Sequence, residues 1–243
     1  MSNSQQDTMF IHEEPSEVLL HQSHYPIRLS EAAITSLDTT TPRTAQMARQ
    51  LQAWFLQFQR QIDERCEYTS ELTTALMKEG WKLLSKTFFL DSVSDVPVAL
   101  DPDLLSKGKS WGMTGEVDGA VEVRLYPYIK INEGITSWML LNTMAHEGAH
   151  AFILKYGCRN EICRDDECVK QKGVSTGVSG HGLAWNMLAE AIERVSGVSF
   201  GFRLDLGRRS SSVKEHEFLD TARAVEALFG GVDPRRDAPH FAH

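Results

Sequence analysis

Hydrophobic positions along the chain fall into two periods. Leu51, Trp54, Phe55, Phe58 and Ile62 recur at spacings of three and four, which sets five large apolar side chains on one face of a helix beginning near Thr44. A second helical stretch runs from Glu71 toward Phe89, with a break expected at Gly80. The period then changes to two. Val96-Pro97-Val98-Ala99-Leu100 reads as a strand, and so does the alternation of Val121, Val123 and Leu125 with Glu122, Arg124 and Tyr126. Turn signals at Lys107-Gly108 and Asp118-Gly119 divide this region into a small antiparallel or mixed sheet. From Thr136 to Lys155 the chain is apolar almost all round, the pattern of a buried helix, and Gly157 is its stop. A last core helix is expected from His181 to Ser196, with Ala184, Met187, Leu188, Ala191, Ile192 and Val195 on one face and Gly197 after it. Residues 214–229 read as a surface helix. The predicted class is α+β with a helical N-terminal half.

The chain of 243 residues is long enough for one sizeable domain. Residues 1–43 are polar and lack a sustained apolar period, so they are expected to form an acidic, disordered lead-in. Residues 44–200 then hold the domain, and residues 201–243 a C-terminal helix and frayed tail. The charge pattern agrees: the first 42 residues carry one base and six acids, residues 43–200 carry 17 bases and 20 acids, and the remainder seven of each. No segment is a basic arm, so the bulk charge gives no strong attraction to a phosphate backbone. No stretch approaches the roughly 18 apolar residues of a membrane span. The opening Met-Ser-Asn-Ser-Gln-Gln-Asp lacks the positive cap and apolar run of a secretory signal, and the expected location is the cytoplasm or nucleus.

Chemistry enters within the buried helix, as His146-Glu147-Gly148-Ala149-His150. Residues four apart on a helix differ by only about 40° around its axis, so both imidazoles point one way, one turn apart. That is half of a zinc site, with Glu147 close enough to serve as a general base. Two imidazoles and a carboxylate inside an apolar helix would each carry a desolvation cost without a partner. A metal removes that cost; the alternative is a pair of satisfied core histidines.

A catalytic zinc takes three protein ligands and keeps one position for water. The candidates for the third are His181, Glu190 and His216. With His181 at 0°, the apolar arc of its helix spans about 240° through 0° to 40°, while Glu190 falls near 180° and Glu193 near 120°. His181 faces inward and has Gly180 and Gly182 beside it, whereas His216 sits among Lys214, Glu215 and Glu217. His181 is therefore the favoured ligand, the alternative being a structural histidine at the helix start.

The block Met144-Ala-His-Glu-Gly-Ala-His-Ala151, followed after a loop by Ser179-Gly-His-Gly-Leu-Ala-Trp185, resembles the SprT-like zinc metalloprotease family with its Spartan-type peptidase core. The resemblance extends over about residues 44–200. It implies a zincin-like fold in which the active-site helix carries the signature and the following helix supplies the third histidine. It also implies one catalytic zinc ion held by His146, His150 and His181, Glu147 as the catalytic residue, and endopeptidase activity on a protein or peptide substrate. A DNA-stimulated protease acting on DNA–protein crosslinks is one alternative, since the family implies a nucleic-acid partner. A zinc-stabilised but catalytically silent binding module is another, and an intact Glu147 speaks against it.

Some features fall outside this pattern. Cys158, Cys163 and Cys168 are spaced C-x4-C-x4-C, unlike the C-x2-C knuckles of structural zinc sites. Free loop thiols, one bridge or a second metal are the readings. Cys66 reads as a small core residue. Trp185 reads as core or as a wall of the metal pocket, and Tyr126 or Tyr128 as an oxyanion partner. His12, His21 and His24 read as solvated.

Overall fold

The computed structural model describes residues 25–37, 41–65, 70–108, 110–126, 137–158, 168, 174–199 and 201–217. Helix α1 spans Pro26–Ser36, α2 Pro42–Arg65 and α3 Ser70–Phe88. Strand β1 (Val98–Leu100), the short helix α4 (Leu104–Gly108) and strands β2 (Gly112–Val117) and β3 (Ala120–Leu125) follow. Helices α5 (Ser137–Tyr156) and α6 (Leu183–Ser199) complete the core, and residues 208–217 are helical. The architecture is α+β: mostly helical, with one small mixed sheet.

Helix α1 corrects the expectation for residues 1–43. Its apolar face is short, yet Leu29 and Ala33 are fully buried and α1 packs along α6. Ser30, buried with them, donates to the Ala184 carbonyl at 2.9 Å. Leu29 and Ala33 give too little periodicity to stand out in the sequence; burial comes from the partner helix. Leu51, Trp54, Phe55 and Phe58 of α2 line the core as expected. The side chain of Ile62 lies outside the described residues. Helix α3 runs through Gly80 without the expected break, because a Cβ there would overlap the indole of Trp54. The glycine marks a close helix crossing, and Trp54 Nε1 donates across it to the Leu76 carbonyl at 3.0 Å.

The strand order is β1-β3-β2, with β1 parallel and β2 antiparallel to β3. Asp118 and Gly119 form the two-residue connection of the β2–β3 hairpin, both at positive φ (52° and 81°), as the right-handed strand twist prefers. Val121, Val123 and Leu125 alternate into the core. Helix α5 passes through the centre of the domain, touching β2, β3, α6 and all three N-terminal helices. This explains why it is apolar on every side, and the Gly157 amide closes it on the Ile153 carbonyl at 2.7 Å.

The expected end of the domain at residue 200 is also corrected. Helix α6 continues through Gly197 to Ser199, and the chain then turns back onto the core. Phe202 packs against Phe55 and Trp138, with ring centroids 5.1 and 5.8 Å away, and Leu204 and Leu206 are buried. Described helix covers residues 208–217, beginning before position 214; the expected continuation to 229 lies outside the described residues. Among the described residues no helix is long and apolar enough to cross a membrane.

Candidate metal centre

Three imidazoles converge where α5 meets the start of α6. His146 and His150 stand one turn apart on α5, and His181 sits in the turn that leads into α6. The three Nε2 atoms form a nearly equilateral triangle: 3.2 Å from His146 to His150, 3.1 Å from His150 to His181 and 3.2 Å from His181 to His146. Among the described residues this is the group of side chains that could hold a metal ion.

The turn before α6 brings His181 into place. Gly177 and Gly180 both adopt positive φ (73° and 82°), a conformation that L side chains rarely take. At Gly180 a Cβ would also stand 3.3 Å from the His150 ring, so the missing side chain lets the turn close over the second imidazole. Trp185, fully buried one turn into α6, lies against all three rings with centroids 4.8, 5.4 and 4.6 Å from His146, His150 and His181. It is both core and pocket wall.

The outer nitrogens decide what the inner ones can do. His146 Nδ1 is 2.7 Å from the Leu206 carbonyl, which only accepts, so Nδ1 carries the proton. His181 Nδ1 lies 3.0 Å from Ser179 Oγ, whose own proton is donated to the Glu215 carboxylate, so this Nδ1 is also the donor. In these neutral tautomers the Nε2 lone pairs of His146 and His181 face each other at 3.2 Å. Two lone pairs at that distance repel, and either a proton on His150 Nε2 or a cation held by all three nitrogens relieves the repulsion. Two zinc–nitrogen bonds of about 2.0–2.1 Å at the tetrahedral angle place their nitrogens about 3.3–3.4 Å apart, close to the separations found. Residue type, tautomer and spacing therefore fit a tetrahedral divalent ion.

Glu147, the residue after His146, is buried on the side of α5 that faces β2. Thr114 of β2 donates to its Oε2 at 2.7 Å. Burial pushes the carboxyl pKa up to about 8, and the Thr114 hydrogen bond opposes the shift. A cation on the imidazoles would draw it down again by favouring the carboxylate. Gly112, two residues before Thr114, leaves room for the carboxylate: a Cβ there would lie 2.6 Å from Thr143 Cγ2 and 2.7 Å from both Glu147 Cγ and Oε1. Gly112→Ala is therefore expected to displace the carboxylate from Thr114 and to cost about 1–3 kcal/mol of stability by overpacking. A urea titration checks this, and an unchanged midpoint and slope would show that the strand can move aside.

The fallback ligands are elsewhere. Glu190 is exposed and pairs with Arg208 at 3.0 Å, and His216 is exposed on the 208–217 helix. Glu193, expected on the solvent side of α6, is buried instead. It accepts the Leu206 amide at 2.9 Å and so holds the residue whose carbonyl orients His146. Tyr126 packs edge-on against Trp111, 5.7 Å between centroids. Tyr128, Cys66, Cys163, His12, His21 and His24 lie outside the described residues. Cys168 is buried and Cys158 half-buried.

Sequence reasoning missed Thr114, Ser179, Glu215 and the Leu206 carbonyl. Ser179 lies in the glycine-flanked block that singled out His181, and Leu204-Asp205-Leu206 has a two-residue period that points to a buried extended segment. Thr114 and Glu215 left no comparable trace, since each reaches the site from a distant part of the chain. Comparisons with protein families, with curated proteins and with solved structures give no match to this chain.

Proposed function

We propose that the protein is a zinc-dependent endopeptidase of the SprT-like type, with a zincin-like arrangement of its metal ligands and general base. The observation that carries this reading is the pair of Nε2 lone pairs turned toward each other by their Nδ1 partners, with a buried carboxylate on the residue that follows His146. His146, His150 and His181 would hold the metal. A bound zinc supplies Lewis acidity there, polarising a scissile carbonyl and lowering the pKa of water toward about 7. Glu147 Oε2 is held by Thr114, so Oε1 is the oxygen that accepts a proton from the attacking water and returns it to the leaving amine. Neither step needs a covalent acyl-enzyme. Among the described residues strand β2 is an edge of the sheet next to Glu147, where an extended peptide can add as a further strand. This favours a peptide as the substrate.

The test is metal analysis of the purified protein together with casein cleavage. One zinc per chain is expected, and cleavage should fall to background after dialysis against a strong chelator and return on addition of zinc. Loss of folded structure on chelation, with no cleavage before it, would instead indicate a zinc-stabilised binding module. Single-stranded DNA is added in parallel; stimulation of cleavage would extend the reading to proteins crosslinked to DNA.

A further inference from the structure

The 208–217 helix reaches the turn that carries His181 through Glu215. Glu215 projects onto the turn that carries His181 and accepts three hydrogen bonds there. The Val178 amide donates to Oε1 at 2.5 Å, the Ser179 amide donates to Oε2 at 2.9 Å, and Ser179 Oγ also donates to Oε2. Oγ in turn receives the proton of His181 Nδ1 at 3.0 Å. The turn leaves space for this approach, since Gly177, at positive φ, has no side chain where one would meet Glu215 Oε1.

Direction follows from donor capacity. A carboxylate only accepts, so the hydroxyl proton of Ser179 is committed to Glu215. The remaining lone pairs of Oγ then accept from His181, which commits the imidazole proton to Nδ1 and leaves the lone pair on Nε2, facing His146 and His150. Without the carboxylate the hydroxyl could turn and donate to Nδ1. The imidazole proton would then move to Nε2, where it blocks a metal.

We propose that Glu215, acting through Ser179, is a positioning residue for the metal centre: this carboxylate–hydroxyl–imidazole relay sets the tautomer and ring orientation of His181 and so raises metal affinity. The inference rests on the metal reading given above but not on peptidase activity. It makes the 208–217 helix part of the metal centre, although none of its residues would touch the ion. Outer partners of metal-bound histidines contribute about 10–100-fold in affinity.

Glu215 has two functions that must be separated, since it also ties down the turn through two backbone amides. Ser179→Ala separates them, because it removes the hydroxyl and leaves both amides able to bond to Glu215. Zinc affinity is measured on the full chain by competition with a chromophoric chelator, and the visible absorption of the cobalt-substituted protein reports ligand geometry. Ser179→Ala is expected to weaken zinc binding about 10–100-fold and to alter the cobalt spectrum, with the melting temperature nearly unchanged. Glu215→Ala should weaken binding by a similar factor. The double variant should bind no worse than either alone, because the two groups act in series. Glu215→Gln, which keeps the shape but weakens the acceptor, takes the place of the alanine variant should that one not fold.

Wild-type zinc affinity and cobalt spectrum in Ser179→Ala would overturn the relay while leaving the metal centre intact. Additive losses in the double variant would also overturn it, since Glu215 would then be acting through the backbone of the turn. A wild-type protein that takes up no zinc would remove the metal reading itself, and the relay with it.

Discussion

Glu147→Gln should lower peptide hydrolysis by about 10²–10⁴-fold while the protein keeps its zinc and its fold. The substitution replaces one oxygen by an amide nitrogen without changing shape, so the bond from Thr114 Oγ1 can persist to the remaining oxygen. What disappears is the capacity to take a proton from water. The carboxylates of the neighbouring elements are otherwise engaged, Glu190 by Arg208, Glu193 by the Leu206 amide and Glu215 by the Val178 and Ser179 amides. In the metal-free protein, stability should be equal or higher in the variant. Burial has already pushed the Glu147 carboxyl up to about 8, meaning that the charged form is the costly one in this position, and a neutral amide avoids that cost. Activity and stability moving in opposite directions is the behaviour expected of a group held for chemistry rather than for packing. The measurement is casein hydrolysis on protein verified to hold one zinc per chain, beside a thermal melt of the metal-free protein. Undiminished turnover in that zinc-loaded variant would remove Glu147 from the mechanism.

How far such a site can be read in the sequence depends on where each part lies relative to its own helix. His146 and His150 were legible because four residues of α5 return to the same side of the axis. His181 was legible because the apolar arc of α6, continued back into the turn before Leu183, points inward at its position. The same wheel misplaced Glu193: it locates the face of a helix but not what later covers it, and the segment returning through Leu204 and Leu206 covers that flank. Helix α1 escaped notice because Leu29 and Ala33 make too short an apolar pattern, while the partner that buries them lies some 150 residues further on. Gly80 illustrates the opposite error. Its propensity argued for a break, but the indole of Trp54 fills the space left by the missing side chain, and packing outweighs the local preference.

The same returning segment carries the second large effect. A chain ending at Phe200 is expected to lose both its cooperative melt and its metal affinity. Such a chain lacks Leu204 and Leu206, each buried in the core, and Phe202, which packs at a tilt against Phe55 with centroids 5.1 Å apart. Removing a buried leucine costs about 2–5 kcal/mol, and an aromatic pair adds roughly 0.5–1.5 kcal/mol. Together these losses are comparable to the whole stability of a typical domain, about 5–15 kcal/mol. Any chains that remained folded would still lack the Leu206 carbonyl that fixes the proton on His146 Nδ1, and Glu215, the end of the Ser179 chain to His181. Two of the three imidazoles would then be free to carry their proton on Nε2, which no metal tolerates. Zinc competition and a thermal melt on the shortened chain read the two effects separately. Metal affinity and a melting temperature equal to those of the full chain would mean that the domain ends at residue 200 and that the contacts of residues 201–217 are incidental.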